Sequence, residues 1–374
     1  MTSPTVLDLH ADLVRFPSLS HEEAAIADYV EAWARGIDGL EVGRLGDNVW
    51  ASLGSGSSPG GDGEADLLLL CSHLDVVPPS AEHPHPPFEP TRVGGRVYGR
   101  GAVDAKASGA AMLAALARLA ASGWRPPEGG RLVVALTACE ETGGGYNGME
   151  HLRAEVLGKE LPDVSAALVG EPTELRPCLA QKGLLILTAT AHGRTAHAAR
   201  AHLGDNAITR AARDLVALDG LRFEKSDPLL GRPTATATIV EGGTAKNVVP
   251  DRCAFTLDVR STPAYTHAEL AALVGAHLES RVAVYSDRLV PCATPPDARV
   301  ARAVTAALGG LGLDAEPFGS PTASDWIFLH DVPAVKIGPG RSELSHTADE
   351  HVEVRQLERA VDVYAAVAQR YFSG

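Results

Sequence analysis

The amino-acid sequence predicts an α/β protein built on a mostly parallel central sheet, with a smaller α+β domain inserted into it. Apolar runs such as "ADLLLLCSH", "GRLVVALTACEE" and "VSAALVGEPT" show no alternation and are separated by helical segments, as strands covered on both faces are. Near Cys178 the style changes to strands that alternate apolar with small or polar residues, and near Pro291 it changes back.

Taken in order, "SLSHEEAAIADYVEAWARG" places Ser20 and Glu23 in capping-box spacing ahead of a helix that runs to Gly36. "NVWASL" is a strand, and the Gly/Ser/Pro-rich "GSGSSPGGDGE" is a surface loop. After "ADLLLLCSH" the Ala/Leu-rich "ASGAAMLAALARLAAS" is a helix. In the inserted part, "GLLILTATAHG", "TATATIVEGG", "RCAFTLDVRS" and "VAVYSDRLV" are strands and "THAELAALVGAHLES" is a helix. Strand–helix–strand–strand–helix–strand order makes a sandwich with helices on one face of an antiparallel sheet. The helix "DARVARAVTAALGGLG", the strand "VPAVKIG" and a last helix from Val354 to Phe372 complete the chain. The expected domains are 1–178 with 291–374, and 179–290 inserted between them.

The 374 residues allow about two domains. A net charge of −14 argues against nucleic-acid or anionic-membrane partners, which need a basic surface. No apolar run approaches the ~18 residues of a membrane span, and the N-terminus has no signal-peptide pattern. Five scattered cysteines without C-x-x-C spacing point to reduced thiols and a cytoplasmic setting.

Three apolar strands end in potential metal ligands: His73 and Asp75, Glu140 and Glu141, and Glu171. In a parallel sheet such groups collect at the carboxyl ends of the strands. Asp104 in "YGRGAVDAKAS" and His346 in "GPGRSELSHTADEH" lie in polar loops. Imidazole and carboxylate without thiolate suit a catalytic zinc, cobalt or manganese site. Side chains alternate along a strand, so Glu140 and Glu141 are expected to diverge, one toward a metal and one toward substrate. By the same periodicity His73 and Asp75 face one side.

Eight ordered motifs span nearly the whole chain: "SHLDVVP", "YGRGAVDAKAS", "TACEETGG", "GEPT", "GRTAHAA", "GGTAKNVVP", "DVRS" and "SHTADE". Together they resemble the dinuclear metal amidohydrolases and peptidases that include acetylornithine deacetylase, succinyl-diaminopimelate desuccinylase and aminoacylase. The resemblance implies a zinc-exopeptidase-like catalytic domain with an inserted ferredoxin-like lid and dimerisation domain. It makes His73 and Glu171 ligands of one metal, Glu141 and His346 ligands of the other, and Asp104 the bridge, with a cis peptide at Asp104–Ala105. Two divalent cations are implied, zinc first, with cobalt or manganese as alternatives. Asp75 would orient His73, as ligating histidines require, and Glu140 would be the general base on a metal-activated water. His197 resembles a histidine that reaches into the partner subunit's site of a homodimer, where losing an oxyanion donor costs ~10²–10³ in rate. Arg260 and Asn247 would hold a substrate carboxylate and its polar neighbours. Substrate contacts from both domains would make closure a step of turnover.

One segment departs from the pattern. Desuccinylases carry Gly-Arg or Ala-Arg after Ser-Asp, whereas here Ser324 and Asp325 are followed by Trp326 and Ile327. That favours a neutral acyl group, with Ser324 and Asp325 as substrate contacts and Asp325 pairing with a cationic amine. The expected activity is therefore N-acetylornithine deacetylation in arginine biosynthesis. Alternatives are desuccinylation of succinyl-diaminopimelate, deacylation of another N-acyl amino acid, a di- or carboxypeptidase, and a non-catalytic amino-acid-binding relative.

Overall fold

The computed structural model describes residues 5–54, 65–142 and 145–373. All but the first residue of the predicted loop Gly54–Glu64 lies outside the described residues. The chain divides into two compact units. One reaches to Leu179 and resumes over Thr294–Phe318 and from Ser324 onward; the other is Ala180–Ala293 with Gly319–Ala323.

In the first unit the strands run in the order Glu41–Leu45, Asn48–Leu53, Gly130–Thr137, Asp66–His73, Val164–Val169, Ala334–Lys336. The last four are mutually parallel, and the first two join them antiparallel. Leu67 to Cys71 are fully buried, which is why that stretch shows no alternation. The helix Lys106–Ala121 lies against this sheet and against the helix Val354–Phe372. Its alanines and Gly109 permit close approach: a Cβ at Gly109 would meet Leu136 at 3.2 Å. Strand Asp66–His73 lies between Gly130–Thr137 and Val164–Val169, so the strands that end in His73, near Glu140–Glu141 and near Glu171 are neighbours.

The second unit has a four-stranded antiparallel sheet in the order Thr234–Gly242, Arg252–Ser261, Gly183–His192, Arg281–Leu289. The helices Ala207–Ala217 and His267–His277 share one apolar cluster with Leu185, Leu187, Ala189, Leu257 and Val259. All five cysteines are buried free thiols. Among the described residues, no helix is long and apolar enough to cross a membrane.

The predicted capping box does not form. The helix begins at Ala24, with Glu23 in a helical conformation at the cap and making no side-chain cap bond. Ser20 instead donates to Asp75 Oδ2 at 2.7 Å, and Glu23 Oε1 accepts from the Cys139 amide at 2.9 Å. Long-range acceptors and donors outbid the local cap, because buried amides at the end of a strand have no water to turn to.

His10, in the helix Val6–Val14, is fully buried and donates through Nε2 to the Ala102 carbonyl at 2.8 Å. Burial lowers its pKa to about 4. Below its unfolded value the unfolded chain takes up a proton that the fold refuses until about pH 4, so stability falls as pH drops through that window. Between about pH 7 and about pH 5 this linkage amounts to about 2 kcal/mol. His10→Gln keeps a donor for Ala102 and cannot titrate; urea unfolding at the two pH values should show it losing that much less than wild type.

Candidate active site

Three neighbouring parallel strands each bring one part of the site. His73 closes its strand, and its Nδ1 donates to the Asp75 carbonyl at 3.0 Å. The Asp75 carboxylate is farther from Nδ1, at 3.4 Å. Asp75 thus orients His73 chiefly through its main chain, and Nε2 is left to face Asp104 Oδ1 at 3.3 Å and Glu171 Oε1 at 4.0 Å.

The Asp75 carboxylate has a different task. Its Oδ1 accepts from the Glu140 amide and its Oδ2 from the Glu141 amide, each at 3.0 Å. The strand has ended at Thr137, and Cys139 has φ 59°. The two glutamates therefore sit in a turn, so the turn and not the pleat sets their directions. This corrects the expectation from strand alternation.

On the opposite side, His346 Nε2 lies 2.8 Å from Glu141 Oε1 and 3.7 Å from Asp104 Oδ2. Asp104 hence presents one oxygen toward each histidine. His73, Asp104 and Glu141 bring ligand atoms within 4.8 Å of one another. The Asp104–Ala105 peptide is cis, as the resemblance implied.

The electrostatics of this cluster are strained. Desolvation pushes the Glu171 carboxyl up to about 8, with Asp104 adding to the rise. Desolvation also pushes Glu140 well above the ordinary carboxylate range; His73 opposes the rise, while Glu171, Asp325 and Glu141 add to it. Two imidazoles, His73 and His346, and three converging carboxylates, Asp104, Glu141 and Glu171, are a donor set that divalent cations fit. Cations relieve the mutual repulsion of the carboxylates, and His73 Nδ1 is already committed as a donor, so its Nε2 lone pair is free for ligation.

Sequence reasoning passed over Arg100 and Glu350, although both lie inside quoted motifs. Glu350 Oε1 accepts from the amides of Val103 and Asp104, at 3.1 and 3.2 Å. Its other oxygen pairs with Arg100, which also donates to the His346 carbonyl at 3.2 Å. This buried pair ties the Asp104 loop to the His346 loop. Its signal was available: an Arg and a Glu flanking loops that carry ligands.

Ser324 and Asp325 are placed otherwise than expected. Ser324 caps the short turn Asp325–Leu329. Asp325 is 3% exposed and accepts from Thr137 Oγ1 at 2.9 Å and Asn147 Nδ2 at 2.8 Å. Both oxygens are engaged by neutral donors behind the strand end, so the structure does not leave Asp325 open to a substrate amine. Trp326 is buried wall packing at 1% exposure.

His197, Asn247 and Arg260 belong to the second unit. His197 pairs with Val248, and the Ala198 amide donates to the Asn247 carbonyl at 2.8 Å, which brings the first two together. His197 is exposed, and its Nδ1 accepts from the Ala199 amide at 3.1 Å. A neutral ring then carries its proton on Nε2. Arg260 is half-buried, with Nε and Nη2 held by Asp258 at 2.9 and 3.1 Å.

A family model for peptidase family M20/M25/M40 matches residues 69–370. The chain belongs to that family. It is 29% identical over 383 residues to a succinyl-diaminopimelate desuccinylase of Xanthomonas euvesicatoria, with 98% of each chain covered. In fold it is similar to aminopeptidase PepT from Bacillus cereus, at TM-score 0.79 and 21% identity with 98% of each chain covered. It is also similar to a dinuclear metal binding peptidase from Bacillus subtilis, at TM-score 0.71 and 16% identity over 97% of this chain and 96% of that one. The M20 chain described here is a metal-dependent amidohydrolase.

Arg100 and Glu350 are only 2% and 1% exposed. Glu350→Ala would bury an unpaired guanidinium and should lower the unfolding free energy by about 3–5 kcal/mol. Adding Arg100→Met should restore part of that loss in urea unfolding, because the orphaned charge is removed.

Proposed function

We propose that this enzyme hydrolyses the amide bond of an N-acyl amino acid, with succinyl-diaminopimelate as its leading substrate and lysine biosynthesis as its setting. The observation that carries the chemistry is Asp104, which turns one oxygen toward His73 and the other toward His346. The substrate reading rests on the desuccinylase relatives. Acetylornithine is the second reading. It keeps one support, Ile327 at the position where desuccinylases carry an arginine that could read a second substrate carboxylate. Its other support has gone, since Asp325 is bonded internally.

His73, Glu171 and Asp104 would hold one divalent cation, and His346, Glu141 and Asp104 the second. Bound there, such cations polarise a carbonyl and lower the pKa of water. Glu140 is not in either set, and it takes the proton of the attacking water and returns it to the leaving amine. A carboxyl raised by burial suits a group that must act as base and then as acid. His197 offers Nε2–H to the developing oxyanion as a residue supplied by the partner subunit. Arg260 has its Nε edge fixed by Asp258, and its other edge is presented to the substrate carboxylate, with Asn247 beside it. The homodimer forms through the second unit. Its edge strand Thr234–Gly242 carries exposed Ile239 and Val240, at 55% and 53%, and an unpaired apolar edge favours a strand partner.

The central test is Glu140→Gln. It should retain the wild-type metal content by elemental analysis and lose turnover of succinyl-diaminopimelate by at least about a thousandfold. A wild-type rate would remove Glu140 from its role. Asp104→Ala should lose both metals and His346→Ala one, by the same analysis. A panel of succinyl-diaminopimelate, N-acetyl-ornithine, N-acetyl-citrulline, N-acetyl-methionine and dipeptides separates the substrate readings by kcat/KM.

His197 is tested by complementation. Mixed dimers of His197→Ala and Glu140→Gln subunits should regain activity that neither parent has. Its failure to return would place His197 within its own subunit's chemistry or outside it.

A further inference from the structure

The turn that bears Glu140 is held in an unusual way. Four consecutive backbone amides donate to side-chain oxygens from distant segments. Ala138 donates to Asn48 Oδ1 at 3.0 Å and Cys139 to Glu23 Oε1 at 2.9 Å. Glu140 and Glu141 donate to the two oxygens of Asp75, at 3.0 Å each. These acceptors come from the strand Asn48–Leu53, from the start of the helix Ala24–Arg35, and from the segment after the strand Asp66–His73. Glu23 is 1% exposed, Asn48 and Asp75 fully buried. The Cys139 thiol also donates to Glu23 Oε1 at 3.3 Å.

The local backbone shows why such a grip is needed. Cys139 has φ 59°, a conformation that costs a side-chain-bearing residue about 1–3 kcal/mol and persists only when its surroundings impose it. The Glu23 bond lands on the amide of that residue. Gly148 makes room for the neighbouring clamp, since a Cβ there would lie 2.0 Å from Asn48 Oδ1. A buried amide without its acceptor would turn toward another one, and the residue beside it is Glu140.

We propose that Glu23 is a positioning residue for the general base: its carboxylate oxygen, bonded to the Cys139 amide, holds the left-handed turn that aims Glu140. This rests on the assignment of Glu140 as general base. What matters at position 23 is an acceptor oxygen at the right reach. Charge is secondary, because the partners are an amide and a thiol.

Two conservative variants separate reach from charge. Glu23→Gln keeps an oxygen at the same distance along the side chain and loses the charge. Glu23→Asp keeps the charge and withdraws the oxygen by one methylene. In the metal-loaded enzyme with succinyl-diaminopimelate, Glu23→Gln should keep kcat within about threefold of wild type. Glu23→Asp should lose about ten- to a hundredfold in kcat with KM within about twofold. Both should keep the wild-type metal content and midpoint of thermal unfolding to within a few degrees. Wild-type kcat in Glu23→Asp, or an equal loss in both variants, would overturn the proposal. Glu140→Gln in the same assay reads the other possibility separately: if it turns over normally, the base assignment falls, whatever Glu23 does.

Discussion

Asp75 is the residue on which the centre depends. Its carbonyl fixes the ring of His73, and its carboxylate takes the amides of both Glu140 and Glu141. Ser20 completes its hydrogen bonding. Burial alone would raise this carboxyl, but the nearby His73 ring and the bonds from Ser20 and the Glu141 amide hold it below the usual carboxylate range. One buried residue thereby sets the direction of a histidine through its carbonyl and the course of the next strand's terminal turn through its carboxylate. Two neighbouring parallel strands are locked in register at the end where chemistry happens.

The rest of the site is a problem of like charges. Asp104, Glu140, Glu141 and Glu171 converge in one place, and burial makes the ionised forms of Glu140 and Glu171 costly. The fold tolerates this because backbone amides and the Arg100–Glu350 pair hold the loops in place whether or not the carboxylates are ionised. Geometry is supplied by backbone amides and by the paired charges of Arg100 and Glu350, which leaves the remaining carboxylates for the proposed cations. Such separation keeps the ligands arranged before anything binds.

The parallel strands were legible because both of their faces are covered, so their apolar runs announce themselves. The candidate ligands were legible as polar residues at the ends of those runs and in ordered motifs. Three things could not be read. Ser20 and Glu23 stood in the spacing of a helix cap, and nothing local shows that Glu23 meets a residue 116 positions away. The divergence of Glu140 and Glu141 was assigned to a pleat, but a left-handed Cys139 ends the strand first. Asp325 looked like a partner for a cation because charge suggests exposure; its burial against Thr137 and Asn147 is a tertiary fact.

The first unit is assembled from separated stretches of chain, and the second is spelled out between them. His73, Asp104, Glu141 and Glu171 are made before the second unit, whereas the strand Ala334–Lys336, His346 and Glu350 are made after it. During synthesis, then, the growing chain carries most of the carboxylates long before it carries their closing histidine or the glutamate that tethers the Asp104 loop. The half-site has crowded anions and no second imidazole. If the centre holds two ions as proposed, a truncated chain would lack the second imidazole needed to retain both.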